Sequence, residues 1–321
     1  MGPKLNITVI TVTYGDRWDY LEKNLLSLEG IDLIENVIVV NNGANYDLDK
    51  KLNRFRKCLL VDLNRNSGSA VGFSHGVKKF LEIKRESDSL QEEKDWVLFL
   101  DDDNYIKEIE INALRELLSN SYKEGKGEAF FCNRLSRSKH YSNYQPIKYN
   151  GFLSFNCFKS KPVSNISTLE LLPYSGLLLT KEMINTIGLP NEALYLYCDD
   201  YDYSFRLVKN HIVTRMIDTC VIDDVEVSWN QENENFAVSV VTGNPLKVYY
   251  SVRNRVNLEK NNMISNHFVY FSNAILFILY VIYKNIKCRT KIKFKSIYAL
   301  MVGIFDGLRG KLGVHKKYTL K

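Results

Sequence analysis

The sequence predicts an α/β protein, with a mostly parallel central sheet and helices on both faces. Two observations carry that expectation. Four runs at residues 6–14, 36–40, 58–63 and 96–100 are rich in Val, Ile and Leu and almost unbroken in apolar character, as strands covered on both faces are. Helical patterns at about residues 18–28 and 70–83 separate these runs, and alternating strands and helices imply right-handed parallel crossovers.

The elements follow in order. The first strand, 6–14, is nearly all β-branched. The helix after it carries Leu21, Leu25 and Leu28 on one stripe. The second strand stops at Asn41-Asn42-Gly43, a turn signal. The fourth strand ends in three aspartates. Residues 84–94 are polar and charged and read as a solvated loop or frayed helix end. Residues 132–161 are rich in Asn, Ser, Tyr and Lys without a period and read as loops or short edge strands. A helix at about 199–210 and two short strands near 215–227 complete a catalytic body spanning 1–246. A basic, aromatic helical region occupies 247–321.

The net charge of +6 conceals an asymmetry. Residues 247–321 hold fifteen Lys and Arg against Glu259 and Asp306, so the tail carries +13 and the body −7. That balance points to an anionic surface as partner. Sixteen largely apolar residues, 268–283, fall short of the roughly 20 that span hydrocarbon and are interrupted by Ser272-Asn273; lysines follow directly. The expectation is a helix lying in an anionic leaflet, against the alternative of a core helix or dimer interface. The six cysteines show no C-x-x-C pair, and the opening residues run straight into a strand pattern. Both lead to the expectation of a cytosolic chain with reduced thiols, held peripherally at the inner face of the cell membrane.

Asp101-Asp102-Asp103 follows the fourth strand, where open parallel sheets bind ligands. Alternation along extended chain would put Asp101 and Asp103 on one side, and such hard oxygens suit Mg²⁺ or Mn²⁺ bridging to a diphosphate. The competing reading is an acidic turn capping the next helix. In Cys198-Asp199-Asp200-Tyr201-Asp202, Asp202 can pair with Arg206 at i, i+4, and Asp199 suits the cap. Asp200 then lies on another face, where a base could take a proton from an attacking hydroxyl. The alternative there is a solvated acidic helix start.

The order of Thr11-Val12-Thr13-Tyr14, Val39-Val40-Asn41-Asn42-Gly43, the segment from Asn64 to Phe73, the aspartate triplet and Cys198-Asp199-Asp200-Tyr201-Asp202 resembles family 2 glycosyltransferases of the GT-A fold. It is closest to their rhamnosyl- and galactofuranosyltransferase branch, which builds capsules, O-antigens and cell-wall galactan. Tyr249-Tyr250-Ser251-Val252-Arg253-Asn254-Arg255 and residues 305–311 are similar to that branch too. The resemblance implies donor contacts from Thr11, Thr13, Tyr14, Asn41, Asn42, Asn66, Gly68 and Ala70, with Asp102 near the donor ribose or sugar. It places Asp101 and Asp103 at the metal and makes Asp200 the base of an inverting transfer, supported by Asp199, Asp202 and Arg206. Relatives often have an acid where Asn41 stands, and a metal-ligating histidine after a tryptophan where this chain reads Ser228-Trp229-Asn230. Asn230, beside Trp229, is then the implied third ligand.

The partners implied are a UDP- or dTDP-linked sugar donor, a glycan or lipid-linked glycan acceptor and an anionic membrane surface; a homo-oligomer is compatible. A dehydrogenase is a poor reading, because Thr13-Tyr14-Gly15-Asp16-Arg17-Trp18 stands where G-x-G-x-x-G would follow the first strand. A nucleic-acid binder is disfavoured by acidic clusters that would repel phosphates. An inactive sugar-nucleotide-binding relative remains the other alternative.

Overall fold

The computed structural model describes residues 5–86, 94–123, 127–134, 150–153, 155–158, 171–225, 243–287 and 294–320. The chain divides into two compact units, one of Met1–Gln145, Asn165–Asn191 and Asp200–Val227, the other of Pro146–Ser164, Glu192–Asp199 and Ser228–Lys321.

The first unit is an eight-stranded sheet. Strands β1 (Leu5–Gly15), β2 (Ile34–Ala44), β3 (Cys58–Asp62) and β4 (Lys94–Phe99) alternate with helices α1 (Trp18–Glu29), α2 (Leu48–Leu52) and α3 (Ser69–Glu86). These four strands pair in parallel, in the order β3-β2-β1-β4. The expected α/β sheet is therefore present. Beyond β4 it continues through β7 (Leu177–Thr180), β6 (Glu128–Arg134), β8 (Val213–Asp224) and β5 (Asn104–Ile109) with mixed directions.

Side-chain alternation along β1 builds two cores. Ile7 and Val9 face Leu21, Leu25 and Leu28 of α1 and Leu114 and Leu118 of α4 (Ile111–Lys123). Ile10 and Val12 face Phe73, Val77 and Phe80 of α3, together with α5 (Lys181–Ile187) and α6 (Asp199–Lys209) through Ile184 and Tyr203.

Three expectations are corrected. Lys84 does not open a solvated loop: it is buried at the end of α3, ion-paired with Glu35 and, at 2.8 Å, with Asp95. The charge is affordable there because two carboxylates meet it. Within the stretch 132–161, residues 132–134 end β6, an interior strand rather than an edge, since β6 pairs with both β7 and β8; 150–153 and 155–158 are loop as expected, and the rest lies outside the described residues. The two strands expected near 215–227 are one twelve-residue strand, β8, bent by a register shift that lets its far end pair with β5.

The second unit is helical. Helix α7 (Pro245–Asn262) starts behind Asn244, whose side chain accepts from Leu246 N, with Pro245 at the first position. Most of its faces are buried. Helix α9 (Phe294–Arg309) packs on it at Gly303 and Gly307, where an added Cβ would meet Tyr249 O at 3.0 Å and Arg253 O at 2.6 Å. Helix α8 (His267–Lys287) has 21 residues and is long and apolar enough, by length and composition, to cross a membrane. The helix is thus longer than its sixteen-residue apolar run. The interrupting Asn273 is turned inward, donating to Asn150 O (2.7 Å) and accepting from Cys157 N (2.9 Å). Tyr270, Phe277 and Val281 share that inner face, while Phe268, Phe271, Ile275, Leu279, Ile282 and Ile286 leave an exposed apolar stripe.

Candidate active site

Strand β4 delivers Asp101, Asp102 and Asp103 at its carboxyl end, in the connection to β5. The chain there is a turn and not extended, closed by Asn104 N donating to Asp101 O at 3.1 Å. Asn24 of α1 grips it from one side, its amide donating to Asp101 O (3.1 Å) and Asn104 O (2.7 Å). Asn104 Nδ2 donates to Asp224 Oδ1 (2.6 Å), and Arg134 Nη2 donates to Asn104 Oδ1 (2.8 Å). Ser175 adds a hydroxyl to Asn104 and receives Asp101 N at 3.3 Å. The triplet thus stands on a buried polar platform from α1, β5, β6, β8 and the turn before β7, which fixes where its carboxylates lie.

The turn sends the three carboxylates to different fates. Asp102 points inward, accepting from Thr13 Oγ1 (2.9 Å) and from Arg17 through Nε and Nη2 (2.7–3.0 Å). Burial pushes its carboxyl up, and Arg17 draws it back. Arg17 Nη2 also reaches Asp103 Oδ2 at 2.8 Å, and its guanidinium lies near the Tyr14 and Tyr20 rings, 5.2 and 5.0 Å from their centroids. Asp101 is partly buried beside them. Burial, then the charge of Asp103, push its carboxyl up to about 7, against the pull of Arg134, with Asp102 and Asp200 adding to the rise.

Asp200, half-buried in the first turn of α6, therefore belongs to the same electrostatic cluster; its Oδ1 accepts from Tyr201 N at 2.8 Å. The expected Asp202–Arg206 pair is present, through Arg206 Nε at 3.1 Å and Nη2. Asp199 is buried at the first residue of the helix. The segment leading into α6 holds left-handed φ at Tyr195 (66°), Tyr197 (62°) and Cys198 (59°). Asn254 steadies it, donating to the carbonyls of Leu194, Leu196 and Tyr197 at 2.7–2.9 Å.

The residues expected at the donor divide into two groups. Tyr14 is exposed and Asn41 half-buried, its Oδ1 accepting from Ala44 N at 2.8 Å. Asn66 and Gly68 form a loop, with Gly68 N donating to Asn66 Oδ1 at 3.2 Å. By contrast, Thr11 and Ala70 are completely buried and present no surface to a ligand. Thr13 is buried against Asp102 and Tyr46. Asn42 is a buried clamp on that loop, receiving Ser67 N (2.8 Å) and donating to Gly68 O (3.2 Å). A Cβ added at Gly72 would meet Val12. Trp229 and Asn230 lie outside the described residues.

Sequence reasoning missed Arg17, Asn24, Asn104, Arg134, Ser175 and Asp224. Only Arg17 carried a local signal, as a cation between a strand end and a helix start. Among the described residues no three His, Cys, Asp or Glu side chains form a ligand cluster for a metal. The donor set nevertheless fits a hard cation. Asp101 and Asp103 carry hard carboxylate oxygens at a sheet end, and burial first, then the charge of Asp103, raises the Asp101 carboxyl, a strain that a cation would relieve.

No family model matches the chain. It is 25% identical over 315 residues, 96% of this chain and 97% of the relative, to the dTDP-rhamnosyl transferase RfbF of Shigella flexneri. Among solved structures it is similar to the mannosyltransferase PcManGT from Pyrobaculum calidifontis, in complex with GDP-Man and Mn²⁺ (TM-score 0.55, 10% identity, 99% of this chain and 83% of that one). It is also similar to GalNAc-T7 with UDP, GalNAc and Mn²⁺ (TM-score 0.50, 12% identity, 80% of this chain), of which it spans about half, 48%. In sequence the chain is thus similar to a dTDP-rhamnosyl transferase, and in fold it is similar to solved glycosyltransferases of the GT-A-like kind.

Proposed function

We propose that this chain transfers rhamnose from a dTDP-linked donor to a glycan or lipid-linked glycan acceptor, with inversion, in the synthesis of a bacterial surface polysaccharide. The observation that carries the reading is the meeting of Asp101, Asp103 and Asp200 charges at the end of a GT-A-like sheet. Similarity to a dTDP-rhamnosyl transferase over nearly the whole chain favours rhamnose over galactofuranose.

Each residue then has a task. Asp101 and Asp103 would hold Mn²⁺ or Mg²⁺, which when bound supplies neutralisation of the diphosphate leaving group. Tyr14, Asn41 and the Asn66–Gly68 loop line the donor side. Asp200 takes the proton from the acceptor hydroxyl as that oxygen bonds to the anomeric carbon. The bond from that carbon to the diphosphate breaks, dTDP departs, and the configuration inverts. Asp102 stays paired with Arg17 and Thr13 and keeps β1 and the triplet in register. Trp229 and Asn230 keep their expected supporting and third-ligand roles as part of the proposal. The chain works at the inner face of the membrane, where the α8 stripe and basic tail meet an anionic leaflet.

Calorimetric titration with dTDP, UDP and GDP, in Mn²⁺ and then in EDTA, tests the donor assignment. The expected outcome is selective, metal-dependent dTDP binding that Asp103→Ala weakens at least tenfold, as loss of a charged ligand would. Asp200→Asn binds dTDP normally and loses transfer by roughly 10²-fold or more. Wild-type turnover in that variant would reject Asp200 as the base, and a folded protein blind to all three nucleotides would reject the donor site.

A further inference from the structure

Helix α9 reverses the usual sidedness of a helix in water. Its buried residues are Ser296, Ala299, Leu300, Gly303, Asp306 and Gly307, so its inner face is mostly small or polar. The polar members are satisfied there: Ser296 Oγ donates to Gly243 O at 2.9 Å, and Asp306 Oδ2 accepts from Tyr249 OH at 2.7 Å. Phe294, Tyr298, Met301 and Phe305 share the opposite face at helical spacing and are 50–85% exposed. Between Lys295 and Arg309, all of them described residues, the outer surface has one polar side-chain group, the Tyr298 hydroxyl. A helix packed in water turns its large apolar side chains inward and its polar ones outward. Small residues inside and large apolar ones outside belong to helices whose solvent is hydrocarbon, where Ala and Gly let two backbones close on each other.

The charge around this face says what covers it. From residue 247 onward the sequence has fifteen Lys and Arg and two acids, Glu259 and Asp306. Both acids are buried, Glu259 against Arg255 and Asp306 against Tyr249, so every exposed charged side chain in that stretch is positive. Two of these cations stand over rings of the stripe itself. The Arg309 guanidinium carbon is 3.8 Å from the Phe305 centroid, and the Lys317 ammonium is 4.5 Å from that of Tyr298. Aromatic rings flanked by Lys and Arg settle where headgroups meet hydrocarbon, with the charged ends reaching out to the headgroups. A second copy brought against this face would set positive charge against positive, whereas an anionic leaflet matches both the stripe and its cations. The sixteen residues of α9 rise about 24 Å, short of the roughly 30 Å of a hydrocarbon layer, so the helix suits lying in one leaflet and not crossing it.

We propose that α9 is a second membrane-contact element, lying in the plane of an anionic leaflet with Phe294, Tyr298, Met301 and Phe305 in the acyl boundary. The inference rests on the membrane-surface reading of α8 and extends it to a helix that length and composition alone do not mark.

Flotation of the full chain with vesicles of phosphatidylcholine and phosphatidylglycerol tests it. Met301→Gln with Phe305→Gln should lower recovery roughly tenfold, the size of withdrawing two apolar side chains from hydrocarbon, with the melting temperature and dTDP binding of the wild type. Brominated lipids, which quench indole only within the acyl region, should quench Met301→Trp beyond the wild type. Unchanged recovery in the double variant, or no added quenching in Met301→Trp, would overturn the proposal. Equal recovery on pure phosphatidylcholine would overturn the anionic assignment, and a sedimenting dimer that the double variant dissociates would give the stripe to a second copy. Ile275→Asn with Leu279→Asn on α8 separates the two levels. If that pair lowers recovery and the α9 pair does not, the membrane reading stands and the role of α9 falls; if neither does, the membrane reading itself fails.

Discussion

Arg17 touches two carboxylates that differ in what they can afford to lose. The Asp102 side chain is 4% exposed and that of Asp103 is 36% exposed. Asp102 has no route to water, so its pair with Arg17 is structural; Asp103 is open to solvent, and the proposed cation would compete there with the guanidinium. Arg17→Met should therefore destabilise the metal-free protein by about 3 kcal/mol, the order of breaking a buried pair. Mn²⁺ should raise the variant's Tm by more than it raises the wild type's, because Asp103 is no longer already neutralised. An equal Mn²⁺ response would mean that Arg17 and the cation do not compete. Asp101 makes a different prediction. Its carboxyl rises from the ordinary 3.8 to about 7 through burial and the charge of Asp103, so between those values the folded state binds more protons than the unfolded state. In EDTA, stability should fall as pH rises from about 4 to about 7, and Asp101→Asn should flatten that slope in urea titrations at each pH. At this scale the sequence was readable where partners are near along the chain. Asp202 and Arg206 are four residues apart, and the triplet sits at the end of an apolar run. Arg134 and Asp224 reach Asn104 across 30 and 120 residues, and no local pattern marks them.

Among the elements, α3 lies on β1 and β2 because two glycines open its inner face. A Cβ on Gly72 would meet Val12 Cγ1 at 2.6 Å, and one on Gly76 would meet Ile10 Cγ2 at 2.4 Å. Gly76→Ala should then cost about 1–3 kcal/mol by overpacking, seen as a lower urea midpoint with an unchanged m-value. The true close approach in the neighbouring loop is at Gly43, φ +85°, whose missing Cβ would stand 2.6 Å from Asn66 N. Both glycines serve packing that the sequence could only register as a wish for small residues. The first four strands were legible because parallel, doubly covered strands are continuous apolar runs. Strand β7, Leu177–Thr180, is too short to show a period, and β6 is followed by polar residues that masked its buried Ala129 to Cys132 core. Helix α4 did carry a stripe of Leu114, Leu117 and Leu118, which went unread beside the stronger acidic signal.

For the whole molecule, the basic tail is a packed helical unit with its own core. Helix α9 packs on α7 backbone to backbone at Gly303 and Gly307, so cutting the chain after residue 266 would strip α7 of its cover. Point changes on the outer stripe of α8 are the cleaner test of membrane contact. Ile275→Asn with Leu279→Asn should leave thermal stability within about 0.5 kcal/mol, as exposed substitutions do, and lower recovery with anionic vesicles several-fold. Unchanged recovery would count against surface contact through this helix. The apolar run and the lysines were visible in the sequence; which face Asn273 would take was not, because its partners Asn150 and Cys157 lie more than a hundred residues earlier. The platform under the triplet bears also on biosynthesis. Strands β4 and β5 are joined by only four residues, yet three strands stand between them in the sheet order, and β5 pairs with β8 alone. The turn that carries Asp101 to Asp103 is closed by Asp224, and by Val225 N donating to Asp103 O at 2.8 Å. During vectorial synthesis the first hundred residues can assemble β1 to β4 on their own, but the aspartates reach their final arrangement only once residue 225 has left the ribosome. A nascent chain shorter than that is sheet without the finished aspartate turn, so the growing polypeptide cannot gather the three carboxylates in their final arrangement before most of the sheet is in place.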